Sequence, residues 1–348
     1  MPPIIRFIPL IFILIFSLFT LSTSTYAEPS DSSDPIIKHY ETQGSMNDVS
    51  LFDNKAYIAA GSEGLIILDV SNPNEAIRLG QFATSNYLYE VALSNDGTKA
   101  YLAEGKSFVI IDVTDPANIT ELNRINAGET GYIEAVTLSP DGNQAYIANG
   151  WTGFHILDIT DPLQLSQLGF FATEGYVGDI TVSADNSKIY IADVWNGVLI
   201  MDVTTPATPT LIAQFSPLSA STGKGFSRDI VLSATGSTAY VIDSTDGLLI
   251  LDLTDPSQPT LLGQYLNPLG VAAGITRSAD GSKVYIADAK YGGANVISVD
   301  VSDPTQAKQF KQLALTQAVS MTLSSDETTA YIAGRSQGLF VIDPQKLN

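Results

Sequence analysis

The chain has 348 residues, a formal net charge of −20 and no Cys. Without Cys there is no disulfide, no thiol nucleophile and no Cys-ligated metal. No Lys/Arg cluster interrupts the acidic background, which argues against binding nucleic acid through its phosphates; cationic partners, metal ions or solubility alone account for the charge.

In chain order, Arg6 precedes an apolar run from Phe7 to about Leu21, and small and polar residues follow to Thr25-Tyr26-Ala27. This is the layout of a secretory signal, residues 1–27, with cleavage expected after Ala27. The alternative is an uncleaved anchor, because the run approaches spanning length. No Cys follows the run, so a lipid-modified Cys anchor is excluded. Residues 28–33 read as a flexible lead-in. Cleavage leaves 321 residues (348 less the first 27) with 16 basic and 37 acidic side chains, since Arg6 is the charge removed. The expected product is exported (periplasmic, secreted or on the cell surface) and is not inserted in a membrane once the signal is cut.

From residue 34 to 348 a unit of about 45 residues recurs seven times, read here as a single domain. One Tyr marks each unit, at 57, 101, 146, 190, 240, 285 and 331, and an Asp closes an apolar run, at 69, 112, 158, 202, 252, 300 and 343. Four short runs rich in Val, Ile, Leu and Tyr, broken by Gly, Pro, Asn and Asp, fill each unit. Such runs are strands, because helical repeats need apolar residues at i, i+3 and i+4 over ten or more positions. The predicted fold is all-β: a seven-bladed β-propeller of four-stranded antiparallel blades, strands A to D. Gly or Asn in the A–B turns, as in Asn95-Asp96-Gly97 and Ala184-Asp185-Asn186, supplies the positive φ of tight hairpins. Asp115-Pro116, Asp161-Pro162, Asp255-Pro256 and Asp303-Pro304 turn the chain into strand D.

The seventh unit ends at Asp343-Pro344 with four residues to follow. Its strand D is missing, while Asp34-Pro35-Ile36-Ile37-Lys38-His39-Tyr40 resembles the start of one. Residues 36–42 are therefore expected to pair with 338–343, closing the ring and covering an open edge.

The runs Leu65-Ile66-Ile67-Leu68-Asp69-Val70, Phe108-Val109-Ile110-Ile111-Asp112-Val113 and Leu248-Leu249-Ile250-Leu251-Asp252-Leu253 resemble those of LVIVD-repeat propellers. The resemblance covers residues 34–348, although the seventh unit departs by ending early. It implies the propeller fold and an exported or surface compartment, and no particular reaction.

In a propeller the B–C and D–A loops share one face. At or just before strand A lie Asp48, Glu90, Glu134, Asp179 and Asp229; at the end of strand B lie Glu104, Asp193, Asp243 and Asp288, with Asn149 in the third unit. Read as one rim, these nine carboxylates are candidate ligands for Ca2+, which takes several oxygen ligands. Otherwise each caps a strand end or bonds the backbone of a neighbouring blade. No cofactor is required by the sequence. Two insertions, at 219–225 and near Lys290-Tyr291-Gly292-Gly293, fall on the same face, where function usually resides. Candidate ligand-binding residues there are Trp151 and Trp195, at equivalent B–C positions, with Tyr89, Tyr132, Tyr176, Phe226, Lys224 and Tyr291. Aromatic side chains of this kind contact proteins or sugars, and otherwise pack between blades. His155 is expected to be a buried, hydrogen-bonded side chain, and no Ser-His-Asp set can be assembled.

The favoured reading is an exported, non-catalytic binding module with a protein or glycan partner. Two others compete: a metal-dependent, lactonase-like propeller hydrolase, and a structural surface or assembly component.

Overall fold

A computed structural model describes residues 34–217, 226–266, 272–289, 295–315 and 317–347. The expected signal and lead-in, the insertion at 219–225 and that at 290–293 lie outside these residues, as do Lys224 and Tyr291. Seven four-stranded antiparallel sheets form, each joined in sequence order from A to D. Blade 1 spans residues 48–82, blade 2 90–126, blade 3 135–171, blade 4 177–215, blade 5 227–265 and blade 6 272–314. Blade 7 takes three strands from 320–342 and its outer strand from Ile36–Tyr40. No described helix is long and apolar enough to cross a membrane.

Ring closure follows the expectation. Ile36 lies opposite Ile342 and Tyr40 opposite Leu339. The His39 ring stacks on Phe340 at 4.1 Å, and its Nε2 lies 2.6 Å from the Gln337 carbonyl.

Burial explains why the strands read as unbroken apolar runs. Strands B and C are covered on both faces by neighbouring blades, as in Lys99–Ala103 and Ser107–Asp112. Strand D is peripheral and mixes exposed with half-buried positions, as in Ile77–Phe82. The apolar core is accordingly divided into seven wedges, one per blade interface. One wedge packs Tyr146, Phe154 and Ile156 of blade 3 against Val177, Ile180 and Ile191 of blade 4. Another joins Tyr331, Leu339 and Val341 of blade 7 to Ile58 and Ile66 of blade 1, with Tyr40 from the closing strand. The marker Tyr of every unit is buried in such a wedge.

The turns obey local chemistry. In the first A–B turn of this type the Ser94 hydroxyl donates to Asp96 Oδ1 (2.6 Å), which also accepts from Thr98 N (3.0 Å), and Gly97 has φ 66°. Asn186, at φ 55°, takes the glycine's place in blade 4. In the C–D turns, Asp69 Oδ1 accepts from Ser71 N (2.9 Å) and Asp112 Oδ1 from Thr114 N (2.9 Å). The repeating Asp thus organises a corner on the side away from the loop face, as Asx turns do. These hydrogen bonds hold the Asp96 and Asp112 carboxyls below their usual range.

Candidate functional site

The B–C loop of one blade and the D–A loop of the next meet through backbone bridges. Gly61 pairs with Leu88, Gly105 with Ile133, Gly150 with Val177, and Arg335 with Met46 across the closure. These four bridges tie the entries of blades 1 to 4 to the preceding blade, and the residues at the seven A-strand entries fall into tiers.

The deepest tier is set by strand register. Asp48, Glu90, Ala135, Asp179, Asp229, Gly274 and Ser320 all occupy the same position, each opposite the third residue of a strand-B Tyr-x-Ala or Tyr-x-Ile motif. Its four carboxylates line a polar cavity of about 290 Å3. Each has a structural partner in an adjacent blade. Asp48 Oδ2 accepts from Val91 N (3.2 Å), Asp179 Oδ2 from Ile230 N (3.2 Å) and Asp229 Oδ2 from Ile275 N (2.8 Å). Asp48 Oδ1 also takes the Ser320 hydroxyl at 2.7 Å across the closure. Burial pushes all four carboxyls up; Glu90 is raised further by the charges of Asp48, Asp179 and Asp229, and Asp229 by Asp179. Asp179 and Asp229 are neighbours in this ring, and the charge of Asp179 makes ionisation of Asp229 harder.

Glu134 belongs one residue earlier, in the tier above, with Asn47, Tyr89, Gly178, Arg228, Ala273 and Val319. All seven line an open cavity of about 770 Å3 above the carboxylate ring. Burial raises the Glu134 carboxyl, against the lowering effects of a hydrogen bond with Tyr176 and the charge of Arg228.

The strand-B carboxylates are somewhere else again. Glu104, Asp193, Asp243 and Asp288 are buried, at 0%, 0%, 1% and 0% exposure. Asp193 Oδ1 accepts from Trp195 N and Asn196 N, both at 2.9 Å, and Asp243 Oδ1 from Thr245 N and Asp246 N. Glu104 is ion-paired with Arg124, which also bonds Glu121. The reading of nine carboxylates as one rim is therefore corrected. Four face the channel and one faces the cavity above; of the four at strand-B ends, Asp193 and Asp243 fold their B–C loops, because a carboxylate at a strand end is drawn to the unpaired backbone N–H groups of the turn, Glu104 is taken by Arg124, and Asp288 is buried. Among the described residues no three His, Asp or Glu side chains are placed to hold one metal ion, and no Ca2+ site is assigned.

The aromatic candidates do come together. Tyr87, Tyr89 and Tyr132 form one run, with centroids 4.9 and 5.4 Å apart, and the Tyr89 and Tyr132 hydroxyls meet at 2.5 Å. Tyr176, Trp151, Trp195 and Phe226 form a second, at 5.2, 5.9 and 6.1 Å. Tyr87, Tyr89 and Tyr176 line the cavity, so the two runs flank it over blades 2 to 5. Trp151 is 58% exposed, the largest exposed aromatic surface among the described residues. Lys106 Nζ sits over the Tyr132 ring at 5.4 Å, a cation–π contact. His155 is structural. Asn149 Nδ2 donates to its Nε2 (3.1 Å), so the ring is neutral and its Nδ1–H faces Gln167 Oε1 (3.0 Å).

Sequence reasoning missed Asn47, Arg228, Gln317 and Arg335, which also line the cavity. Arg335 did carry a signal. It stands where blades 1, 2 and 3 have Gly61, Gly105 and Gly150 in the left-handed conformation, and it adopts the same conformation at φ 46°.

The comparisons agree with this architecture. The LVIVD repeat model matches residues 43–84, 86–127, 131–173, 174–216 and 224–267, one match per blade from the first to the fifth. No curated protein sequence matches the chain. Among solved structures, the Cps50 (Swd1) β-propeller domain of Myceliophteria thermophila superposes with a TM-score of 0.70 at 14% identity, over 88% of this chain and 98% of that one. A chain of a mitotic checkpoint complex gives 0.73 at 12%, over 93% and 99%. The periplasmic gluconolactonase PpgL of Pseudomonas aeruginosa gives 0.70 at 16%, over 82% and 90%. At these identities the likeness is one of fold. The repeat matches span more than half of the sequence, and the chain belongs to the LVIVD-repeat family.

Proposed function

We propose that this protein is an exported, non-catalytic binding module and that the loop face bearing the aromatic runs holds a protein or glycan partner. One observation carries the reading: Trp151, 58% exposed, continues through Tyr176 and Trp195 into a ring-lined wall beside a 770 Å3 cavity. Rigid aromatic surface left open to water is costly unless something covers it, and Tyr, Trp and Arg dominate the energetics of binding surfaces. The cavity volume lies within the range of small-molecule and sugar sites, about 300–1,000 Å3.

The test is capture of ligands from glycan and protein libraries by the full-length protein, with Trp151→Ala and Trp195→Ala as variants. The reading expects at least a tenfold loss of affinity with melting temperature nearly unchanged. Undiminished capture by both variants would overturn it. Turnover of a lactone by the wild-type protein would overturn the non-catalytic part. The fold shared with the periplasmic gluconolactonase makes that assay worth running, although the likeness carries no substrate with it.

A further inference from the structure

Arg335 is an uneconomical residue for its place in the loop face. A left-handed backbone disfavours any side chain with a Cβ, and blades 1, 2 and 3 use Gly at the equivalent position. The conformation is enforced, because Arg335 N donates to Met46 O (2.9 Å) while Met46 N donates to Arg335 O (3.0 Å) across the ring closure. Glycine would satisfy both bonds without strain, so the backbone gives no reason for arginine. Nor does the rest of the fold. The side chain is exposed, lines the 770 Å3 cavity, and its guanidinium makes no hydrogen bond or ion pair with the described residues. Of the five described non-Gly residues at positive φ, Asp53, Asn186 and Glu327 stand in A–B turns, whereas Gln317 (φ 65°) and Arg335 (φ 46°) both line this cavity; strain kept on the lining of a cavity points to a functional demand there.

The cavity narrows what the demand is. Arg228, the other cation lining it among the described residues, lies near Glu134 and donates through Nε to the Ser244 hydroxyl (3.0 Å). Arg335 is left as a planar five-donor fork facing an open, aromatic-flanked cavity in a chain where 37 acidic residues outnumber 17 basic ones. A guanidinium placed this way recognises a carboxylate through two parallel hydrogen bonds. The aromatic walls offer faces to the C–H surface of a pyranose, and the Gln317 amide, whose Oε1 accepts from the Ser336 hydroxyl (3.0 Å), has an NH2 to offer sugar hydroxyls.

We propose that the cavity takes a carboxylate-bearing sugar unit of a glycan, with Arg335 as the residue that reads the carboxylate. This rests on the loop face being the binding face, and it commits that face to acidic saccharides over neutral ones and over protein.

Trp151 and Trp195 are the chain's two Trp residues, so intrinsic Trp fluorescence reports on this face alone. The full-length protein is titrated with uronic-acid oligosaccharides and with neutral oligosaccharides of matched length, and screened in parallel against a peptide library. The expected result is a fluorescence change with the uronic-acid series, at least tenfold tighter than with the neutral series and weakened by added salt. Arg335→Gly is the decisive variant. It removes the fork and relieves the backbone, so it should melt at or above the wild-type temperature while losing at least tenfold in affinity for the acidic series and little for the neutral one. Equal binding of both series, or acidic binding retained by Arg335→Gly, overturns the proposal while leaving a glycan-binding face intact. Peptide binding alone, lost in Trp151→Ala, overturns the glycan class but keeps the binding face. No dependence of any ligand on Trp151 and Trp195 overturns both.

Discussion

Replacing Tyr40 by Ala tests whether the closing strand is an integral part of the ring. Tyr40 is 3% exposed and packs with Met46, Tyr331, Leu339 and Val341 at the junction of blades 7 and 1. Its hydroxyl accepts from Ala76 N (2.6 Å) and faces Pro73 O (3.4 Å), both in the C–D turn of blade 1. One side chain therefore joins the closing strand, the last blade and the first. Truncating a buried aromatic residue costs about 3–5 kcal/mol. The stranded Ala76 N–H adds at the low end of about 1–3 kcal/mol, because that residue is half-buried and water reaches it. The expected loss is about 5 kcal/mol, or roughly 10 °C at about 2 °C per kcal/mol for a domain of this size. Tyr40→Phe, which keeps the ring, should lose about 1 kcal/mol. Phe310→Ala, on the outer strand of blade 6 and 41% exposed, serves as a control and should change stability by less than about 0.5 kcal/mol. Urea denaturation followed by fluorescence and by circular dichroism measures all three. If Tyr40→Ala loses less than about 1 kcal/mol, or matches Phe310→Ala, the strand is peeling away before the ring unfolds and the closure argument fails.

Three further outcomes follow from the same structure. Asp229 has its carboxyl raised by burial and by Asp179, so the folded state favours its protonated form; this contribution is fully present below the ordinary carboxylate range near pH 4 and is lost as pH rises through the raised value. Asp229→Asn keeps an acceptor for Ile275 N but cannot ionise, so its melting temperature should fall less than that of wild type from about pH 5 to about pH 8; an equal or steeper fall would show that the channel charge is irrelevant to stability. Arg124→Ala leaves Glu104 charged at 0% exposure without its ion partner and should cost about 3–5 kcal/mol, read from the urea midpoint, with Glu104→Gln in the same background recovering part of it. Gly338→Ala places a Cβ 2.1 Å from the Tyr40 carbonyl at φ 94°; strain and clash together should exceed about 2 kcal/mol, and a neutral result would mean that the closing strand shifts freely.

What the sequence determined by itself was everything set by local chemistry. The 45-residue period, the apolar runs, the Asp-Pro corners and the Gly or Asn in the A–B turns specify strands and the reversals between them, and each acts within a few residues of chain. Even the ring closure was legible, because the missing strand D of blade 7 and the spare Asp34-Pro35 strand carry the same pattern. The aromatic cluster was visible too, since Trp151 and Trp195 recur at one position of adjacent units.

Only the tertiary structure decided which carboxylate faces what. Glu134 and Glu90 both sit at the mouth of a strand A, yet a one-residue offset against strand B puts Glu90 in the channel ring and Glu134 in the cavity above it. Glu104, Asp193, Asp243 and Asp288 read as members of the same rim, but all four are buried: Asp193 and Asp243 turn to the unpaired N–H groups of their B–C loops and Glu104 turns to Arg124. Arg335, Arg228, Asn47 and Gln317 are far apart along the chain and unremarkable singly; they share a cavity because ring closure brings seven strand entries to one axis. A period in sequence places residues on equivalent positions, and it takes the closed ring to bring those positions within reach of one another.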